Sequence, residues 1–174
     1  MSVVTPYVSY LLWLIAGYLD FACHRRTQLP QTSGLRESAL HLAQLALLAV
    51  AMTLGLALTI GPAVFAALVV LVASHAVLGF LDTRQAYGRR EIRPFEQHLH
   101  SVLDLAPVAA LWWTFSWWYR ADAPLTWRDP PAPTAVWITV IAPALLLCVT
   151  PALLELRAAL AVARARRRSE PARG

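Results

Sequence analysis

From Thr5 to Leu156 the chain is a succession of apolar runs, each roughly 20 residues long, separated by short polar or Pro-containing stretches. A run of that length crosses a bilayer as a helix, and hydrocarbon leaves it few alternatives. Every backbone N–H and C=O must find its partner within the segment. Composition agrees: of 174 residues 58% are hydrophobic and 14% charged, against roughly 25% charged in a soluble domain. The expected fold is all-α, a polytopic membrane bundle of about five transmembrane helices. The expected organisation is a single transmembrane domain over 1–157, with repeat halves at about 5–60 and 63–119 and a fifth helix at about 134–157. A basic tail follows at 158–174.

The first segment is predicted from Thr5 to Phe21 and the second from Leu35 to Ile60, with Ser33 placed to cap the second. Gly61-Pro62 forces a tight reversal, so the second and third segments are expected to be antiparallel neighbours. The third segment runs from Ala63 to Leu81. The fourth runs from Pro94, suited to a first helical turn, to Tyr119. It ends in Trp112, Trp113, Trp117, Trp118 and Tyr119, the composition of an interfacial aromatic belt. A Pro-rich loop leads to the fifth segment, where Pro143 and Pro151 predict kinks. The tail from Arg157 is expected to extend this helix and then fray. No basic n-region and no Ala-x-Ala site precede the first segment, so it is expected to be retained. Cys23 and Cys148 are too few and too far apart to suggest a disulfide framework.

The net charge is +5 and all of the basic charge is arginine. These arginines flank apolar segments, which points to topology and anionic headgroups and away from nucleic acid. In a five-helix arrangement Arg120 and Arg128 fall on one side and the other arginines, including those at 84, 157, 164 and 166–168, fall on the opposite side. The positive-inside rule then places the N-terminus outside and the C-terminus in the cytoplasm, with a bacterial inner membrane as the expected location.

Two half-motifs lie within this frame. Gly17-Tyr18-Leu19-Asp20 closes the first segment and Glu37-Ser38-Ala39-Leu40-His41 opens the second. Gly79-Phe80-Leu81-Asp82 closes the third and Glu96-Gln97-His98-Leu99-His100 opens the fourth. A Glu and a His four residues apart share one helix face. The topology, read from arginines alone, brings all of these residues to one end of the bundle. Four carboxylates gathered there cannot all ionise without cations, and two divalent ions would balance Asp20, Glu37, Asp82 and Glu96. Taken singly, Glu37 and Glu96 also suit the positive end of a helix dipole, and Asp20 and Asp82 also suit a solvated interface. His41 and His100, a turn inside apolar segments on the Glu stripe, are read as ligands.

This set resembles the di-iron carboxylate proteins of the ferritin-like class, in which two helices each give a carboxylate and two give Glu-x-x-His. By that resemblance Asp20 and Asp82 are the single carboxylates, and Glu37 with His41 and Glu96 with His100 are the pairs. The spacing here is Glu-x-x-x-His, and the single acids are Asp. The histidine-box desaturases and hydroxylases are a poorer likeness, since the chain has only five histidines.

The remaining candidates are arranged around this core. His24, four residues after Asp20, is a further ligand or a headgroup contact. His75 is expected to orient a ligand, relay a proton or pack as a core histidine. Asp104, one turn deeper than His100, is expected to hydrogen-bond it. His98 faces away. Arg25, Arg26, Arg89, Arg90 and Arg93 are expected to hold an anionic headgroup.

The functional expectation is a membrane oxidoreductase with two divalent metal ions, iron first and zinc as the alternative. It would act at the cytoplasmic face on an apolar or lipid-like substrate drawn from the membrane lipid, with an electron-donor protein as partner. A zinc hydrolase or a metal-handling transporter would use the same residues, and no nucleic acid is expected.

Overall fold

A computed structural model describes residues 4–169. It is all-helical, and no strand occurs among the described residues. Five helices carry the fold: α1 (Val4–Arg26), α2 (Gly34–Ala57), α3 (Pro62–Ala86), α4 (Pro94–Trp118) and α5 (Thr134–Ser169). The α1–α2 link contains a single 3-10 turn, Leu29–Gln31. Four of the helices, α1, α2, α3 and α5, are long and apolar enough to cross a membrane. α4 matches them in length, at 25 residues, but its first half carries Glu96, Gln97, His98, His100 and Asp104.

The helix exteriors are apolar, as a bilayer requires. Leu12, Val70, Leu105 and Leu146 are each more than 60% exposed. One end of the bundle has an ordinary core in which Ile60, Val64 and Leu68 pack with Leu54, Phe65, Leu111 and Tyr119. At the other end polar groups are buried beside Phe21, Leu29 and Leu99: Asp20, His24, Glu37, His41, Asp82, Arg90, Glu96 and His100. Apolar-out and polar-in is the pattern of a membrane protein with a buried site.

Several boundaries differ from the sequence expectation. α2 stops at Ala57 because Leu58 is extended and forms an isolated bridge with Trp127. Around that bridge Thr59 N–H donates to Thr126 O, and Arg120 N–H donates to Ile60 O. The α4–α5 loop is thereby stitched to the α2–α3 reversal. Gly61 is required at this point, because a Cβ on it would lie 2.3 Å from Ala123 O. Ser33 precedes α2 but does not cap it. Its backbone is already helical and its side chain makes no cap hydrogen bond, while Gly34 takes the positive φ of 71°.

α5 continues past the expected 134–157 as one helix to Ser169, so the basic run through Arg168 is helical. The fraying expected beyond it, with Arg173, lies outside the described residues. α5 also changes its winding: Leu145–Val149 forms a π turn. Pro151 explains it. Proline has no N–H to return to Leu147 O and its ring crowds that carbonyl. The preceding turn widens, and Thr150 N–H reaches back to Leu145 O, with the Thr150 hydroxyl donating to the same oxygen at 2.8 Å. The expected perturbation at Pro151 thus takes the form of a π turn.

Candidate metal centre

The C-terminal ends of α1 and α3 and the N-terminal turns of α2 and α4 converge, each contributing side chains from one face. Asp20 and His24 lie on α1, Glu37 and His41 on α2, Asp82 on α3, and Glu96 and His100 on α4. All seven are 8% exposed or less. Their donor atoms form two groups, Asp20–His24–Glu96–His100 and Glu37–His41–Asp82, within which the nitrogens and oxygens lie within 4.8 Å of one another. Each Asp meets the His of the other half-motif. Asp20 Oδ1 is 3.1 Å from His100 Nε2, and Asp82 Oδ1 is 3.1 Å from His41 Nε2.

These contacts are close without being directed. Asp20 Oδ1, His24 Nε2, Glu37 Oε2, His41 Nε2, Asp82 Oδ1, Glu96 Oε2 and His100 Nε2 are buried and have no hydrogen-bond partner. The 3.1 Å approaches lack hydrogen-bond angles. Two ligands about 2.0–2.2 Å from a shared ion, at octahedral or tetrahedral angles, stand about 3–3.5 Å apart. The spacing therefore suits donors around a common cation.

Two residues not expected at this site complete it. Glu155 of α5, its side chain 8% exposed, accepts hydrogen bonds from His24 Nδ1 at 2.9 Å and His41 Nδ1 at 2.8 Å, one on each oxygen. With Nδ1 protonated toward Glu155, each Nε2 keeps a lone pair facing the cluster. The two imidazoles stack at 4.5 Å with 6° between their planes, and Phe21 lies edge-on to both. The sequence signal for Glu155 is its place in the stripe Cys148, Ala152, Glu155, Ala159, whose three other members are small and buried. A carboxylate on such a stripe in an apolar helix is a functional candidate in its own right. Gly17 helps α5 approach, since a Cβ there would lie 3.1 Å from Cys148 Sγ.

Arg90 differs from its expected headgroup role. The α3–α4 loop turns it inward, its side chain is fully buried, and it donates to Glu37 Oε1 from Nε (2.9 Å) and Nη2 (2.7 Å) and to Glu96 Oε1 from Nη1. Burial works against its charge, but the hydrogen bonds and attraction of Glu37, then Glu96, outweigh that, and its pKa is raised. Each Glu spends Oε1 on Arg90 and keeps Oε2 free. Arg25, Arg26, Arg89 and Arg93 remain exposed at this end of the bundle. Arg93 lies 3.6 Å from Glu91, and Arg25 sits over the Tyr18 ring.

Asp104 also departs from expectation. It makes no hydrogen bond to His100; it is exposed, beside Gly79, where an added Cβ would lie 2.9 Å from its Oδ1. His75 is buried and holds no ligand in place. His98 is exposed, facing away as expected. His75 and Asp104 instead line a cavity of about 150 Å³ that also reaches Asp20, His41, Asp82 and His100. Leu14, Leu45, Leu48, Met52 and Leu103 give that cavity its apolar wall. The chain matches no protein-family model, no curated protein and no solved structure.

Proposed function

We propose that the protein is an integral membrane oxidoreductase with two divalent metal ions, iron in the first instance, acting on an apolar or lipid-like substrate. The observation that carries this reading is the set of seven buried donor atoms without hydrogen-bond partners, backed by two residues that orient them from outside. Charge supports the count of two. With neutral imidazoles, the five carboxylates Asp20, Glu37, Asp82, Glu96 and Glu155 less the Arg90 guanidinium leave four negative charges, which two divalent ions balance.

In this reading Asp20, His24, Glu96 and His100 hold one ion and Glu37, His41 and Asp82 hold the other. Glu155 fixes the tautomers of His24 and His41, and Arg90 holds the two glutamates at their register. Iron in a carboxylate–imidazole set supplies oxygen activation, and zinc in the same set would supply Lewis acidity. The chain's own part is to exclude water with Phe21 and the leucines and to seat the substrate in the apolar cavity beside Asp20, His41, Asp82 and His100. Arg25, Arg26, Arg89 and Arg93 face the headgroup layer.

The topology belongs to the same proposal. All five helices cross the membrane, with Glu96 and His100 of α4 turned into the bundle. α1–α2 and α3–α4 are repeated hairpins, the site lies toward the cytoplasm, and an electron-donor protein docks on that face.

Metal analysis of purified protein tests the reading, with about two ions per chain expected. Protein that is metal-free after both iron-replete and zinc-replete growth refutes it. Optical bands on oxidation separate iron from zinc, and an enzyme gives no metal uptake in proteoliposomes.

A further inference from the structure

The cavity beside the cluster has a polar wall that the metal reading does not use. Gln44 lies ten residues into α2, Asp104 ten residues into α4, and His75 eleven residues before the end of α3. At 1.5 Å per residue all three stand about 15 Å from the same end of the bundle, below the metal-donor layer. His75 is 4% exposed, lines the cavity, and makes no side-chain hydrogen bond. Gln44 and Asp104 line it as well, and neither makes a side-chain hydrogen bond. They approach each other across Gly79. A Cβ there would lie 2.9 Å from Asp104 Oδ1 and 3.6 Å from Gln44 Oε1, so glycine is what keeps both oxygens at this wall.

Three polar side chains without hydrogen bonds, set beside the leucines of a cavity that also reaches the metal donors, are the arrangement of a ligand site: an apolar body and a few convergent polar groups. Gln44 and His75 can each donate or accept, Asp104 is the group that only accepts, and no Arg lines the cavity. The Asp104 carboxylate therefore sets the preference for a hydrogen-bond donor. The volume, about 150 Å³, matches a dry cavity that takes up a benzene-sized molecule. Asp104, the exposed member, marks the rim where the cavity opens on the outer face of the bundle.

We infer that this cavity binds a lipophilic molecule carrying a hydroxyl or amine, its donor group on Asp104, Gln44 and His75 and a ring-sized apolar portion beside the metal donors. Its role as substrate rests on the oxidoreductase reading; the binding itself does not. Gln44 and Asp104 stand about one helical turn deeper than His41 and His100 in the same cavity, so the donor group of the ligand fixes which part of it faces the cluster.

Fluorine NMR on the full chain in lipid nanodiscs tests this with three probes: 4-fluorobenzyl alcohol, 4-fluorobenzylamine and 4-fluorotoluene. The alcohol or the amine is expected to bind saturably and about tenfold or more tightly than the toluene, the usual worth of a hydrogen bond to a charged or buried acceptor. Asp104→Leu and His75→Leu are expected to abolish that preference while the toluene still binds, which shows that the cavity persists. Equal binding of all three probes to the native chain, no saturable binding, or a preference that survives both substitutions overturns the inference. Metal content is measured on the same samples. Metal-free protein that keeps the preference defeats the oxidoreductase reading and leaves the binding site standing; metal-loaded protein without the preference does the reverse.

Discussion

Glu155 is the residue whose replacement discriminates most sharply between a metal centre and a buried polar cluster. Its two oxygens accept from different histidines, at 2.9 and 2.8 Å. In Glu155→Gln the carboxamide offers one acceptor and one donor. It can serve His24 or His41, and the other imidazole must turn its proton to Nε2, which removes that nitrogen as a ligand. Replacing a group that orients a ligating histidine costs about 10–100-fold in metal affinity. The Gln variant is therefore expected to lose that factor at one ion and to retain the other. The weaker ion is expected in the Glu37–His41–Asp82 group, which has three donors against four in its neighbour. In Glu155→Ala neither histidine is served, and both ions should weaken by about the same 10–100-fold. Competition against a graded series of chelators, with bound metal counted per chain, reads both effects. If Glu155→Gln and Glu155→Ala hold two ions at native affinity, the assignment of the imidazole tautomers is wrong and the metal argument loses its outer support.

Asp20→Asn and Asp82→Asn should each lower the stoichiometry toward one ion per chain, because each takes a charged donor from a different group; a common loss of both ions would mean the groups are one site. Arg90→Met strips the shared donor from Glu37 and Glu96 and should destabilise the metal-free protein by about 3–5 kcal/mol, the cost of leaving buried charges unpaired. The fall in Tm should be largely recovered on adding metal, and a loss indifferent to metal would count against the charge balance proposed here. Gly61→Ala drives a methyl against the Ala123 carbonyl and should cost about 1–3 kcal/mol in thermal unfolding without changing metal content.

The fold was legible because apolar length is an unambiguous signal and each helix is punctuated by chemistry. Pro62 and Pro94 sit in first helical turns, and Gly61 makes the reversal. Helix ends were less legible where tertiary contacts decide them. Leu58 leaves α2 to meet Trp127, and nothing local in the sequence says so. The tail of α5 stays helical because Ala, Leu and Arg are strong helix formers and no breaker intervenes before Ser169. The convergence of Asp20, Glu37, His41, Asp82, Glu96 and His100 followed from their spacing on helix faces and from placing them at one end. Arg90 was misread because its loop carries several arginines, and sequence does not distinguish the one that turns inward.

Glu155 bears on a different question, what α5 is for. The four helices of the half-motifs carry all seven donors, and α5 packs between α1 and α2, which barely touch each other. Beyond that packing, α5 supplies orientation. An imidazole that ligates through Nε2 needs an acceptor at Nδ1, and His24 and His41 lie side by side with both Nδ1 atoms facing away from the cluster toward α5. One carboxylate serves both only if it arrives at the height of the stacked rings and at the right angle around its helix. The π turn at Leu145–Val149 adds a residue to the winding before Pro151 and so resets the angle of everything after it, a shift of about 100° for one residue. Cys148 then meets Gly17, Ala152 and Ala159 bury against the bundle, and Glu155 comes between the two histidines. A substitution that relaxes this turn, Pro151→Ala, should therefore weaken metal binding although residue 151 touches no donor, and Glu155→Ala should add little to it.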